Sequence, residues 1–189
     1  AHGAEFDGKK IGGAFSDIAA FSFFANKNLT TGEGGMVVTD DPELYNKCRY
    51  YRNMCFGIDG ARDYIHGDIG YNYRMSNLHA AIGLAQVEKA DEYRVLRRKN
   101  AALYRKWLDD VPGLIFQEDQ KMGLNVHWMN GLLIDPDVYG HSREELMAFL
   151  RENQIDSRLF FHGMNVQPCL QYCVDDKEER FPVTEDLSK

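Results

Sequence analysis

Residues Asp17-Ile18-Ala19-Ala20-Phe21-Ser22-Phe23-Phe24 form a nearly unbroken apolar run of strand length. Such a run leaves no hydrophilic side to face water, so it predicts a strand buried on both faces, as in a parallel sheet. A polar, glycine-rich stretch follows from Asn26 to Gly35. Met36-Val37-Val38-Thr39 then predicts a second short strand, closed by Asp40-Asp41-Pro42.

Helical patterns dominate the next stretch. Asp41 as a cap and Pro42 in the first turn open a helix to about Arg52, with Leu44, Cys48 and Tyr51 at helical spacing. Residues 53–70 are irregular, rich in Gly and Asp, and predict a long loop of the kind that is usually functional or mobile. Ser76 caps a helix that starts at Asn77 and runs through Gln86, and helical spacing persists to Leu108 with a break near Ala90-Asp91. Its second part carries Arg94, Arg97, Arg98, Lys99, Arg105 and Lys106. Acids and an apolar stripe of Val95, Leu103 and Leu108 are interleaved, so it predicts a solvated helix face rather than a nucleic-acid patch. Val111-Pro112-Gly113 breaks this helix and marks a candidate boundary. Beyond it, Leu114-Ile115-Phe116 and Val126 to Ile134 are strand-like, and Ser142-Arg143-Glu144-Glu145 is a capping box opening a helix to about Glu152. Ile155 to Phe161 predicts one more strand, which completes a compact α+β unit.

Charge and composition narrow the function classes. With 22 basic and 29 acidic residues the net charge is −7, which argues against nucleic acid or an anionic membrane as the main partner. No apolar run approaches the roughly 20 residues that span a bilayer, and no secretory signal opens the chain. Cys48, Cys55, Cys169 and Cys173 form no C-x-x-C pair and lack the matching His/Cys pair of a zinc site, so they predict idle thiols in a reducing cytosol and no metal. The chain opens at Ala1 without an initiator methionine and stops in mid-pattern at Lys189, and is read as part of something longer.

Lys27 stands just after the apolar run and just before the glycine-rich turn. An apolar wall disfavours the charged form of a lysine, and the neutral amine is what Schiff-base formation requires. Ser22, five residues earlier near the strand end, offers a hydroxyl to a phosphate. From the spacing alone, a solvent-facing loop lysine beside an ordinary turn stays open as the alternative.

The run Phe21-Ser22-Phe23-Phe24-x-Asn26-Lys27-x-x-Thr30-x-Gly32-Glu33-Gly34-Gly35-Met36 resembles the cofactor-lysine segment of the DegT/DnrJ/EryC1/StrS aminotransferases. Two further blocks are similar to that family in order and approximate spacing. One is Gly70-Tyr71-Asn72-Tyr73-Arg74-Met75 with the helix after it; the other is the lead-in Ala1-His2-Gly3-Ala4-Glu5-Phe6-Asp7-Gly8 with Ile11-Gly12. The resemblance is strong to about residue 110 and looser beyond.

It implies an α/β fold of the fold-type I pyridoxal-phosphate transferases. Residues 1–110 would be the end of the mostly parallel-sheet large domain with its long linking helix, and residues 111–189 an incomplete small α+β C-terminal domain. It further implies a cytoplasmic transaminase with pyridoxal 5'-phosphate as cofactor. The amino group would pass from an amino acid, glutamate in this family, to a keto carbon of a nucleotide-linked sugar for glycan biosynthesis.

By the same resemblance Lys27 forms the Schiff base and, once released, shuttles a proton between Cα of the donor and C4′ of the cofactor. Ser22 matches a phosphate-binding hydroxyl. Asn72 matches an asparagine that reaches the cofactor phosphate of the neighbouring subunit, which implies a homodimer with shared active sites. Arg74 is a substrate contact or a structural ion pair. The aspartate that pairs with the pyridine nitrogen belongs a few residues before Ala1, so this stretch by itself is not expected to be a competent enzyme.

The segment Asp156 to Pro168 resembles the family's sugar-site segment, with Arg158 and His162 as substrate-contact candidates. It departs from the pattern where Leu159 and Gly163 replace prolines and Asn165 stands where histidine is common. His66, in a Tyr-x-His context, resembles the branch that aminates GDP-4-keto-6-deoxymannose at C4. Two alternatives carry different functions: a non-catalytic regulatory relative, against which the intact lysine and glycine segments argue, and a sugar dehydratase, which carries histidine in place of the lysine.

Overall fold

A computed structural model describes residues 1–57, 64–173 and 181–188. In chain order the elements are β1 (Glu5–Phe6), β2 (Lys9–Lys10), β3 (Ala19–Ser22), β4 (Gly35–Val38), α1 (Pro42–Arg52), α2 (Asn77–Val87) and α3 (Ala90–Leu108), then β5 (Leu114–Phe116), β6 (Gly123–Leu124), β7 (Leu132–Ile134), α4 (Pro136–Tyr139) and α5 (Arg143–Glu152). Two 3-10 turns, Met164–Val166 and Pro168–Cys173, precede α6 (Pro182–Leu187). The chain divides into two compact units: Ala1–Leu103 with Glu118–Met129, and Tyr104–Gln117 with Asn130–Lys189.

In the first unit, the helix starts follow from local chemistry. One carboxylate oxygen of Asp41 accepts from the amides of Glu43 (2.7 Å) and Leu44 (3.2 Å), satisfying donors that have no partner inside α1, while Pro42 supplies a preset φ. Ser76 does the same for α2 through the His79 amide. The break before α3 falls at Glu88–Lys89, just ahead of the predicted position. Strands β1, β2 and β6 form a small antiparallel sheet in the order β2-β1-β6. Strands β3 and β4 pair antiparallel, with Ala19 opposite Val38 and Ser22 opposite Gly35. The buried side chains among the described residues are Phe23, Leu29, Thr31, Cys55, Phe56, Ala101 and Val126, all in this unit.

In the second unit, β5 and β7 pair antiparallel from Leu114 opposite Ile134 to Phe116 opposite Leu132. Helix α5 opens on the predicted capping box: the Ser142 hydroxyl accepts from the Glu145 amide (3.2 Å), and the Glu145 carboxylate accepts from the Ser142 amide (2.7 Å).

Three strand predictions are corrected. The apolar run 17–24 yields a shorter strand, β3, that is not covered on both faces: its side chains alternate half-buried and exposed, and β4 is its one partner strand among the described residues. The strand foreseen over Val126 to Ile134 shrinks to β7, because His127 adopts a left-handed backbone conformation (φ 44°) and turns the chain away from extension. Ile155 to Phe161 forms no strand: among the described residues it pairs with no other strand, and Leu159, Phe160 and Phe161 stand exposed. Of the loop foreseen over 53–70, residues 58–63 lie outside the described residues. No described helix is long and apolar enough to cross a membrane.

Candidate active site

The turn between β3 and β4 is braced by its own backbone and threonines. Phe23 donates its amide to Gly34 O (2.9 Å), Thr31 to Phe23 O (2.9 Å) and Lys27 to Phe24 O (3.0 Å). The Thr30 hydroxyl donates to Phe23 O (3.1 Å) and accepts from the Gly32 amide (2.9 Å), and the Thr31 hydroxyl donates to Glu33 O. Phe23, Leu29 and Thr31 point into the core beneath, so the turn is pinned from below while Lys27 and Asn28 stay half-buried above it.

The glycine pair at its exit has a steric reason. Gly34 sits at φ +127°, and a Cβ on Gly35 would stand 2.7 Å from the carbonyl oxygen of Phe21 on the facing strand. Helix α2 secures the turn from outside: Gln86 accepts from the Thr30 amide (3.4 Å), and Gly83 lies against Thr31.

A segment far along the chain closes the site. Residues 125–128 form a strap held by Arg98, which donates to Asn125 O (2.6 Å) and to the Asp119 carboxylate (2.9 Å), with His127 Nε2 3.6 Å from the same carboxylate. Burial opposes ionisation of Asp119, but the hydrogen bond and charge of Arg98 outweigh it and hold the carboxyl below its ordinary range. The strap meets the turn on both sides of Lys27. Asn28 Nδ2 donates to Val126 O (3.4 Å), Trp128 Nε1 donates to Asn26 O (2.9 Å), and Lys27 Nζ lies 3.5 Å from the centre of the Trp128 ring.

Between turn, strand and strap is a cavity of about 220 Å³ whose lining includes Lys27, Ser22, Asn28, Trp128, His2 and Phe21. His2 stacks on Phe21 (5.7 Å between centroids, 24° between planes) and on Phe23 (5.3 Å, 19°), and its Nδ1 accepts from the Leu29 amide (3.4 Å). Burial, and then the positive charge of the Ala1 amino group with a smaller contribution from Lys27, pushes the His2 imidazole below its ordinary value, against a hydrogen bond to the Ser22 backbone.

This donor set fits pyridoxal phosphate. A primary amine opens into the cavity and can add to an aldehyde, and the Ser22 hydroxyl, which accepts only a long bond (3.3 Å) from the Phe24 amide, can donate to a phosphate oxygen. The buried Oδ1 of Asn28 has no hydrogen-bond partner among the described residues, so the wall also presents an acceptor awaiting a donor.

The structure thus brings Lys27 and Ser22 together. Asn72 and Arg74 are exposed and do not line the cavity; Asn72 bridges to Asn53 beside the end of α1. His66 places Nδ1 2.6 Å from Met54 O and its ring 4.4 Å from Phe56. In the second unit, Arg158 is exposed 3.8 Å from Asp156, and His162 is exposed. Sequence reasoning missed Trp128 and Asn28 as site residues. Trp128 lay inside a segment whose pattern matched a strand, and nothing local to it signals a partner 102 residues away. Asn28 had the signal of adjacency to Lys27.

The family model for the DegT/DnrJ/EryC1/StrS aminotransferase family matches residues 1–189. The chain is 38% identical over 187 residues to the GDP-perosamine synthase of Escherichia coli O157:H7, covering 99% of this chain and 48% of that protein. It is 36% identical to the GDP-perosamine synthase of Vibrio cholerae, covering 98% and 49%. Among solved structures, DesI in the presence of its TDP-sugar product superposes with a TM-score of 0.84 at 32% identity, covering 100% of this chain and 47% of that one. The chain spans about half the length of the curated relatives it matches. Its helix and strand content and these likenesses place it in the α/β class, with the fold of the fold-type I pyridoxal-phosphate sugar aminotransferases.

Proposed function

The chain belongs to the DegT/DnrJ/EryC1/StrS aminotransferase family, and from that premise we propose that the full-length protein is a pyridoxal-phosphate-dependent sugar transaminase. The observation that carries this is the meeting of the Lys27 amine and the Ser22 hydroxyl in one cavity, on a turn pinned by buried Phe23, Leu29 and Thr31. Bound pyridoxal phosphate supplies the electron sink that stabilises negative charge on the donor carbon. Lys27 contributes the amine that attaches the cofactor and, when free, the base that moves the proton. Ser22 holds the phosphate, and the cavity wall of Phe21, His2 and Trp128 limits water around the amine.

Glutamate serves as amino donor by family resemblance. Likeness to two GDP-perosamine synthases supports a GDP-4-keto-6-deoxymannose-like acceptor, with cell-surface glycan biosynthesis as the setting. A lysine at position 27 favours transamination over dehydration. Residues 1–110 belong to the large domain of the full-length protein and 111–189 to its small one. Asn72, exposed beside exposed Tyr71, Tyr73 and Leu78, reaches the phosphate of a second subunit in a homodimer; exposed apolar side chains clustered in one stretch support a covered surface there. Arg74, Arg158 and His162 are the substrate-contact candidates.

Borohydride reduction of the full-length protein with pyridoxal phosphate, followed by peptide mapping, tests the assignment. A reduced adduct is expected at Lys27 and is expected to vanish in Lys27→Ala. An adduct of equal yield in Lys27→Ala sinks the proposal.

A further inference from the structure

The two residues flanking Lys27 both grip the strap. The Asn26 carbonyl takes the indole N–H of Trp128, and the Asn28 amide donates to Val126, the residue two before it. With its N–H bonded to Asn26 and the strap backbone two residues before it bonded to Asn28, the indole presents its face to the lysine at 3.5 Å. A lysine stem has four flexible carbons and an amine that water solvates strongly. Left unheld, it samples solvent as readily as the cavity. An ammonium over an indole face is biased toward that position by about threefold to thirtyfold, the larger figure applying where water is excluded.

Resting on the role given to Lys27 above, we propose that Trp128 is a positioning residue for it. Its ring is the seat that the lysine amine occupies whenever it is not bonded to the cofactor. The seat keeps the amine inside the cavity that Ser22 also lines, so the released lysine does not have to be recovered from solvent in each cycle. The strap is fixed independently through the Arg98 contacts to Asp119 and Asn125, so the ring does not depend on the lysine for its place.

The test is lysine methylation by formaldehyde and cyanoborohydride at neutral pH. It uses the full-length protein in its cofactor-free form, read residue by residue by mass spectrometry. Exposed Lys47 and Lys106 serve as internal references. Trp128→Leu and Trp128→Met remove both the ring and its N–H; Trp128→Phe removes the N–H and keeps an aromatic face. Methylation of Lys27 is expected to accelerate about threefold to thirtyfold in the ringless variants and by less than about threefold in Trp128→Phe.

Equal acceleration in Trp128→Phe would assign the effect to the lost bond to Asn26, and no acceleration in the ringless variants would remove the seat; either result overturns the proposal. A ringless variant that unfolds reveals itself by a general rise in lysine reactivity, and the other one then decides. The test does not use the cofactor. A wild type that traps no adduct with pyridoxal phosphate therefore sinks the transaminase reading separately from this one.

Discussion

Replacing Gly83 by alanine sets helix propensity against packing, and the structure decides which wins. Gly83 lies inside α2, where an exposed Gly→Ala change stabilises by roughly 0.8–1.0 kcal/mol. Here the new Cβ would stand 2.9 Å from Cγ2 of Thr31. Thr31 is 2% exposed, with its hydroxyl committed to Glu33 O and its amide to Phe23 O, so it has nowhere to retreat. Overpacking of this kind costs about 1–3 kcal/mol. The sum is a net loss of about 1 kcal/mol, delivered to the turn that carries Lys27.

Urea unfolding of the full-length protein measures it, in a cycle with Thr31→Ser. The serine removes the clashing methyl at a cost of about 0.8 kcal/mol for the lost buried carbon. The double variant is expected to recover most of the overpacking, a favourable coupling of about 1–2 kcal/mol. Stabilisation of the single variant by the full propensity gain, or no coupling in the cycle, would refute the packing argument.

Two further outcomes follow from charge and capping. The Asp119 carboxyl has a folded value below its unfolded one, so its contribution to stability is present above the ordinary aspartate range near about 3.9 and is lost as pH falls through the lower folded value. The melting-temperature gap between wild type and Asp119→Asn should therefore narrow below about pH 4, and a gap that stays constant to lower pH contradicts the Arg98 pairing. Because that pair is about one-third exposed, the gap should be small and should shrink further in salt. Ser142→Ala removes one half of the capping box of α5 and is expected to cost about 1 kcal/mol in urea unfolding; Ser142→Asp, which keeps an acceptor, should restore most of it.

What could be read from the residues alone depended on whether the partners were close in sequence. Asp41-Pro42, Ser76 and Ser142-x-x-Glu145 announce helix starts because the cap and the amides it satisfies lie within three residues of each other. Lys27 and Ser22 were brought to one cavity for a similar reason: both belong to one strand end and the turn after it, and the backbone and threonine bonds that brace that turn run between residues 22 and 34. Trp128 fails that condition. Its neighbourhood was strand-like, and the left-handed His127 with the bonds of Asn26 to Trp128 and of Asn28 to Val126 accompany the ring's place over the lysine.

The misplaced strands make the same point from the other direction. An apolar run such as 17–24, or a strand-like stretch such as 155–161, states what a segment would do if it were covered, and coverage comes from other pieces of chain. Within the described residues β3 has one partner strand and the stretch 155–161 pairs with no strand, in a chain that spans about half the length of the curated relatives it matches. The Lys27 turn is less dependent because the hydrogen bonds that brace it run among its own residues 23 to 34. That is why the motif around Lys27 led to one cavity while the strands around it were read as more covered, or longer, than the chain by itself makes them.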